Sequence, residues 1–388
     1  MKTRLVLILI TLLCAAMASV QSAHAATIAV TNTNDSGPGS LRNALGVAND
    51  GDTIDATGIS GIISLISGEL QITHNVTIDG PGAENLAVNG NATSRVFDNF
   101  ASNVTISGFT ITNGFGGLGG GGILNNTNGG LTVSDSSIVS NNAPGGSGGG
   151  IFNNDATLTV TNSTISSNVS NVAGGGIGNF GGGITVTNSV ISGNSSGAGG
   201  GVGSWGTIAV SNSTISGNSA DGVGGGIRGG TMTVSNSTIS DNSAPTGGGI
   251  LIHDAGTALI GDTILNAGAS GGTISIASGT VSSLGYNLAS DDGGGVLTGP
   301  GDQIYTDPML GPLQDNGGPT FTHALLPGSP AINAGKPSFT PPPSYDQRGS
   351  PFHRVVNGRV DIGSFEVQAP RATPTPRPRP TPRPRPTT

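Results

Sequence analysis

Charge, aromatic rings and cysteine are all scarce in this sequence. Of its 388 residues 9% are charged and 4% aromatic, and the single cysteine is Cys14. So few charges exclude the highly charged signature of a disordered chain. A hydrophobic fraction of 34% beside 69 glycines excludes a thick, close-packed globular core. Because Cys14 lies inside an N-terminal apolar run, the rest of the chain has neither disulfides nor thiolate chemistry, and stability must come from stacking. What is abundant is Gly, Asn, Ser and Thr, with Ile and Val at regular intervals. That composition describes a narrow core with many turns, a solenoid.

Residues 1–25 read as a signal peptide. Lys2 and Arg4 form the positive start, Leu5 to Val20 the apolar run, and Ala23-His24-Ala25 a small-residue cleavage site. The run is short for a membrane anchor, so no transmembrane span is expected in the mature chain. Leu13 stands where a lipoprotein signal would want a small residue, which argues against lipidation of Cys14. All 22 acidic residues lie between Asp35 and Glu366, against seven basic ones: Arg42, Arg95, Arg228, Lys336, Arg348, Arg354 and Arg359. So acidic a body repels a phosphate backbone, and nucleic acid is excluded as a partner.

The strongest signal is internal repetition. A glycine triplet precedes each of Ile123, Ile151, Ile177, Val202, Ile227 and Ile250, at steps of 28, 26, 25, 25 and 23 residues. An alternating stretch follows each of the first five: Leu131-Thr132-Val133, Leu158-Thr159-Val160, Ile184-Thr185-Val186, Ile208-Ala209-Val210 and Met232-Thr233-Val234. After a polar corner comes a second apolar position, Ile138, Ile165, Ile191, Ile215 or Ile239, and three residues on an asparagine: Asn141, Asn168, Asn194, Asn218 or Asn242. Alternation with period 2, broken by Asn, Gly and Ser, means short strands and tight turns. A unit of about 25 residues cannot bury its own apolar face, but stacked units bury a continuous column. The chain is therefore expected to be all-β, a single-stranded parallel β-helix over 26–300. Aliphatic ladders would fill its interior and an asparagine ladder one corner. Diverged coils begin at Val76 and Asn103, and Thr257 to Leu265 with Thr273 to Ile276 continue the stack. Ser40 is an N-cap for a short helix, Leu41 to Leu45, that would close the N-terminal end.

No cofactor or metal is predicted. The glycine triplets lead into strands and lack the lysine and helix of a phosphate-binding loop. Asp292-Gly293-Gly294 and Gly299-Pro300-Gly301-Asp302 do not grow into an array of calcium-binding nonapeptides.

Two segments carry a family resemblance. Val30-Thr31-Asn32-Thr33-Asn34-Asp35, Ser40-Leu41-Arg42 and Asp52-Thr53-Ile54 resemble the start of secreted bacterial β-helix proteins, among them relatives of the polymorphic outer-membrane proteins. From Asp307-Pro308-Met309-Leu310-Gly311-Pro312 through His323-Ala324-Leu325-Leu326-Pro327-Gly328-Ser329-Pro330 to Asp361-Ile362-Gly363-Ser364-Phe365-Glu366, the sequence looks like the choice-of-anchor Q domain. The resemblance implies a right-handed helix of the pectin-lyase-like type, closed by a C-terminal capping domain over 301–368, exported by a bacterium and held at the cell surface or released outside the cell. The chain departs from that group over 369–388, a Pro/Arg-rich tail with five arginines. Alternating proline favours polyproline II, a stalk of roughly 55 Å over its last eighteen or so residues.

A lyase of this fold would need carboxylates gathered on one face with a basic group beside them, and a hydrolase paired carboxylates. Between Asn113 and Pro300 the only Lys or Arg is Arg228. Asp135 and Asp262 alternate with Asn162, Asn188, Asn212 and Asn236 at one repeat position, which marks turn formers. Asp155, Asp221, Asp241 and Asp254 fall singly in loops. No catalytic residue is therefore assigned. In the C-terminal cluster Arg348 is expected to pair with Asp346 or Asp361 as a structural cap. A binding face is offered by the outward residues of the first repeated strand, Thr132, Ser134, Thr159, Thr161, Thr185, Thr187, Ser211, Thr233 and Ser235, interrupted by Ala209. It would suit a regular polymer such as a polysaccharide, or ice, while the five tail arginines could adhere to an anionic cell-envelope polymer. Phe152, Phe180 and Trp205 could stack on sugars, though core or turn packing is the preferred expectation. The sequence thus points to an exported, non-catalytic β-helix with a structural or adhesive role. A polysaccharide lyase or glycoside hydrolase is the alternative.

Overall fold

The computed structural model describes residues 25–126 and 129–368. The leader, apart from Ala25, and the Pro/Arg-rich tail lie outside the described residues. Within them the chain winds as a right-handed parallel β-helix. Three long parallel sheets of eleven, nine and ten strands run along it, joined by a four-stranded ribbon and a two-stranded antiparallel hairpin.

The repeat read from the sequence is the stacking register. In the first, eleven-stranded sheet Leu131, Leu158, Ile184, Ile208 and Met232 pair in line, as do Val133, Val160, Val186, Val210 and Val234. In the second, nine-stranded sheet the residues after the glycine triplets, Ile123 to Ile250, form one column that continues to Ile274. The third, ten-stranded sheet stacks Ile138, Ile165, Ile191, Ile215, Ile239 and Leu265. These columns form one continuous buried core.

Three polar columns hold the corners. Asn141, Asn168, Asn194, Asn218 and Asn242 are buried, and each of the first four donates its amide to the next Oδ1 at 2.9–3.0 Å. A second amide column, Asn99, Asn125, Asn153 and Asn179, runs at 2.7–2.8 Å and ends on the Ser204 hydroxyl. At the turn between the first and third sheets Ser136, Ser163, Ser189 and Ser213 each donate a backbone N–H to the hydroxyl of the serine one coil on. Just before those serines Asp135, Asn162, Asn188, Asn212, Asn236 and Asp262 all have φ between 47° and 51°. That left-handed geometry suits short polar side chains and identifies the two aspartates as turn formers.

The glycine triplets are required sterically. The first glycine of each, as in Gly174 with φ 68°, is left-handed. A Cβ on the second, Gly175, would lie 2.4 Å from the Ser195 carbonyl and 2.6 Å from that of Gly200. Consecutive coils therefore approach too closely there for any other residue.

The N-terminal end is closed by helix α1, Leu41–Val47, which buries Leu41, Ala44 and Leu45 and whose N-cap Ser40 accepts from the Asn43 N–H at 3.1 Å. At the other end Leu297 is buried in the core with Val296 against it. The 301–368 block begins as a further rung on the last coil, where Gln303 bridges in parallel to Leu288. It turns back and caps the flank, lying along the outer face of the third sheet. Outward positions there run Ser137, Thr164, Val190, Thr214, Thr238, Ile264 and Leu288, buried from Val190 onward. Apolar and hydroxyl side chains at those points favour a covered face. Thr214 bonds Gln347 at 2.6 Å and Ser364 at 3.0 Å, and the Gly363 N–H reaches the Asp262 carbonyl at 3.0 Å.

Candidate functional site

Sequence reasoning singled out three groups of surface or capping side chains, and the structure keeps them apart. The Thr/Ser face is real as geometry. Thr132, Thr159, Thr185, Ala209 and Thr233 stand in one row, Ser134, Thr161, Thr187, Ser211 and Ser235 in the next. Thr159, Thr185 and Thr233 are exposed, and the second row is half-buried. A shallow groove of about 490 Å³ runs over the middle of this face.

The aromatic residues depart from the expectation of core or turn packing. Phe180 is 58% and Trp205 42% exposed, on consecutive coils, with ring centroids 6.2 Å apart. Both sit where the strands of the second sheet leave it, three residues past the ladder residues Ile177 and Val202. The column residues before them, Asn179 and Ser204, point inward, so alternation turns the rings out. Phe152, by contrast, is half-buried. Arg228 points outward one coil on and stacks on Trp205 at 4.7 Å. Its buried Nη1 has no hydrogen-bond partner among the described residues, and burial lowers its pKa against the pull of Asp254. Buried His253 lies behind, paired with Asp254, and burial followed by the Arg228 charge holds its pKa below the usual imidazole range.

In the C-terminal block Arg348 pairs with Asp346, not with Asp361. Its Nε reaches both Asp346 oxygens at 3.1 Å and its Nη2 one of them at 2.5 Å. The guanidinium is clamped between the rings of Phe352 and Phe365 at 3.9 and 3.8 Å. Asp361 instead accepts the backbone N–H groups of Asn333 and Val367, and burial raises its pKa. Fully buried Arg354 donates to Asn236 and to the Gly363 carbonyl, which ties the block to the coils. This is a load of buried polar contacts that fixes the block in place.

A fourth site was missed. Glu69, Arg95 and Asp98 meet on the outer side of the second sheet, near the N-terminal end. Arg95 Nη1 lies 2.9 Å from Glu69 and 3.2 Å from Asp98, while Nε and Nη2 hold the Gly120 and Gly119 carbonyls. Asn126 donates to Asp98 at 2.6 Å. Burial, helped by the Glu69 charge and opposed by Arg95, pushes the Asp98 carboxyl up to about 6. Glu69 and Arg95 open into a groove of about 880 Å³ that Arg42 and Phe115 also line. Arg95 lies one coil before the regular stretch from Asn113 to Pro300, in which Arg228 is the only Lys or Arg. Equal spacing was a signal available, since Glu69 and Arg95 are one coil length apart.

Among the described residues no three His, Cys, Asp or Glu side chains are grouped to hold a metal ion. No helix among them is long and apolar enough to cross a membrane. No protein-family model and no curated protein matches the chain. Among solved structures, the crystal structure of pectate lyase Pel9A superimposes with a TM-score of 0.54 at 13% sequence identity, over 89% of this chain and 97% of that one. The likeness is one of fold.

Proposed function

We propose that the protein is an exported, cell-surface or extracellular β-helix that binds polysaccharide without cleaving its glycosidic bonds, in an adhesive or structural role. The observation that carries this reading is the exposed Phe180–Trp205 pair with Arg228 stacked beside it. Two rings on consecutive coils form a platform on which sugar faces can stack, and the Arg228 guanidinium braces Trp205 from one side. The Thr/Ser face adds a second, regular surface of hydroxyl groups. Export is supported by the leader sequence. The fold likeness to a pectate lyase supports a carbohydrate partner.

Trp205 is the only tryptophan, so its emission reports on the platform directly. Oligosaccharide binding is expected to shift Trp205 fluorescence, and Phe180→Ala is expected to weaken binding at least tenfold. A panel of neutral and acidic polysaccharides that neither shifts the emission nor retains the protein in pull-down would refute the platform.

The rival reading, a polysaccharide lyase or hydrolase, has one observation in its favour: the Glu69–Arg95–Asp98 group in its groove. A carboxyl near 6 beside a carboxylate is able to exchange a proton under mildly acidic conditions. Reducing-end and 4,5-unsaturated-product assays decide between the two. Products that vanish in Asp98→Asn would establish cleavage.

A further inference from the structure

Where the C-terminal block lies against the third sheet it leaves a groove of about 840 Å³. One wall is a column of serines, Ser166, Ser192, Ser216 and Ser240, in register on neighbouring strands. The other is the hairpin Leu310–Gln314 and Thr322–Leu325, which carries His323. His323 Nε2 lies 2.9 Å from Ser216 Oγ, and its Nδ1 lies 2.8 Å from the Gly311 carbonyl. A carbonyl only accepts, so Nδ1 carries the proton and donates to Gly311. Nε2 is then left with its lone pair toward the Ser216 hydroxyl, which donates to it. This is the arrangement of an activated nucleophile: hydroxyl, base, and a third group that fixes the base's tautomer.

The neighbouring serines differ from Ser216 in a useful way. Ser240 is occupied, donating to Asp241 at 2.8 Å and accepting from Asn266 at 3.0 Å. Ser192, half-exposed on the opposite side, makes no side-chain hydrogen bond among the described residues. Adjacent strands are roughly 4.8 Å apart. A Ser192 hydroxyl at that spacing can donate to an oxygen on a carbon attached to Ser216 Oγ.

We propose that Ser216 and His323 form a catalytic pair that hydrolyses short-chain O-acyl esters. Ser216 Oγ attacks the acyl carbon while its proton passes to His323 Nε2. The carbonyl oxygen takes the negative charge and accepts from Ser192. The C–O bond to the alcohol then breaks, and His323 returns the proton to the leaving oxygen. Water attacks the acyl-serine, giving its proton to His323. The carboxylic acid leaves and Ser216 regains its hydrogen. Ser216 and His323 are nearly buried, at 3% and 4% exposure, so the acyl group must be of acetyl size. This activity is independent of whether the Phe180–Trp205 platform binds sugar.

The test uses the full chain with a fluorophosphonate probe, which labels activated serines covalently, and p-nitrophenyl acetate as substrate. Labelling is expected on the peptide that contains Ser216, together with ester hydrolysis above the background rate. His323→Gln should lower both at least a hundredfold with the melting temperature little changed, and Ser192→Ala about tenfold. Folded wild-type protein that takes no label at Ser216 overturns the proposal, whatever the variants do. So does undiminished labelling in His323→Gln, which would leave His323 as a contact between block and coil.

Discussion

Replacing Asn194 by alanine should cost about 3–5 kcal/mol of folding stability, the sum of four hydrogen bonds in a buried corner. The Asn194 amide donates to the Ile165 carbonyl at 3.0 Å and to Asn218 Oδ1 at 2.9 Å. Its Oδ1 accepts the Asn168 backbone N–H and the Asn168 amide, both at 3.0 Å. Each bond contributes about 1 kcal/mol net, and a buried group left without a partner costs about 1–3 kcal/mol. The Asn168 N–H has no other acceptor among the described residues, whereas its side-chain amide keeps the Ile138 carbonyl at 2.9 Å. Loss of the ladder at one rung is thus severe but not total. Asn194→Asp separates the acceptor from the donor role. It keeps the oxygen that Asn168 needs but sets a second oxygen against the Ile165 carbonyl and Asn218 Oδ1. Burial raises the pKa of that new carboxyl above its unfolded value, so the protonated form, which can donate, is favoured in the folded state. Stability should therefore be regained as pH falls from 7 toward 4, in Asn194→Asp and not in Asn194→Ala. Urea denaturation followed by circular dichroism at both pH values measures this, with exposed Thr159→Ala as the reference. If Asn194→Ala cost no more than Thr159→Ala, the ladder would be ornamental and the reasoning wrong.

Three further outcomes follow from particular contacts. Gly175→Ala, whose Cβ would meet backbone oxygens at 2.4 and 2.6 Å, should lower the melting temperature far more than Gly183→Ala, whose nearest contact is the Thr207 hydroxyl at 3.1 Å; thermal melts of the pair give the comparison. Arg348→Ala leaves Asp346 buried and unpaired and should cost about 3–5 kcal/mol, read by denaturant titration; intact stability with loss of binding or turnover would assign Arg348 a functional role instead. The Glu366 carboxyl is pushed up to about 8, chiefly by burial and then by Asp361, so the folded state holds its proton more tightly than the unfolded one. Its contribution is full below about pH 4.5 and is lost as pH rises through 8, and Glu366→Gln should flatten the melting temperature between pH 5 and 9.

How much was legible depended on whether a contact repeats. Ile138 to Ile239 and Asn141 to Asn242 recur at a nearly fixed step, and a parallel stack puts equal steps side by side, so ladders follow from spacing alone. The serine column from Ser136 to Ser213 obeyed the same rule and was readable, but a polar corner conceals which atom faces inward. Arg95 with Glu69 lay in the diverged first coils, where no triplet marks the register. Ser216 with His323 was beyond reach, being 107 residues apart in a contact made once. The fold-back of the 301–368 block had a faint trace in Val190 and Ile264, apolar residues at outward positions of the third sheet that the first sheet fills chiefly with threonine.

That contrast bears on the Thr/Ser face. Its first row is longer than the repeat suggested: Thr53, Thr77, Thr105, Thr132, Thr159 and Thr185 stand in register before Ala209, and Thr233 follows. Two causes would each produce such a row. Threonine suits exposed strands whatever they face, and a row of hydroxyls at regular spacing also matches a regular ligand. Ala209 separates the two. Ala209→Thr fills the gap and should stabilise the coil slightly under either cause, so a melting curve decides nothing. Only a ligand that spans several coils would register the repaired row, since each rung adds a small increment and the break divides the row. Ala209→Thr is therefore expected to raise retention on the polymer several-fold, and Thr185→Tyr, a residue equally at home in a strand, to abolish it. Thermal hysteresis measured on the same two variants extends the test to ice. If both variants behave as the parent in both assays, the threonines are there for the strand, and binding belongs to the Phe180–Trp205 platform alone.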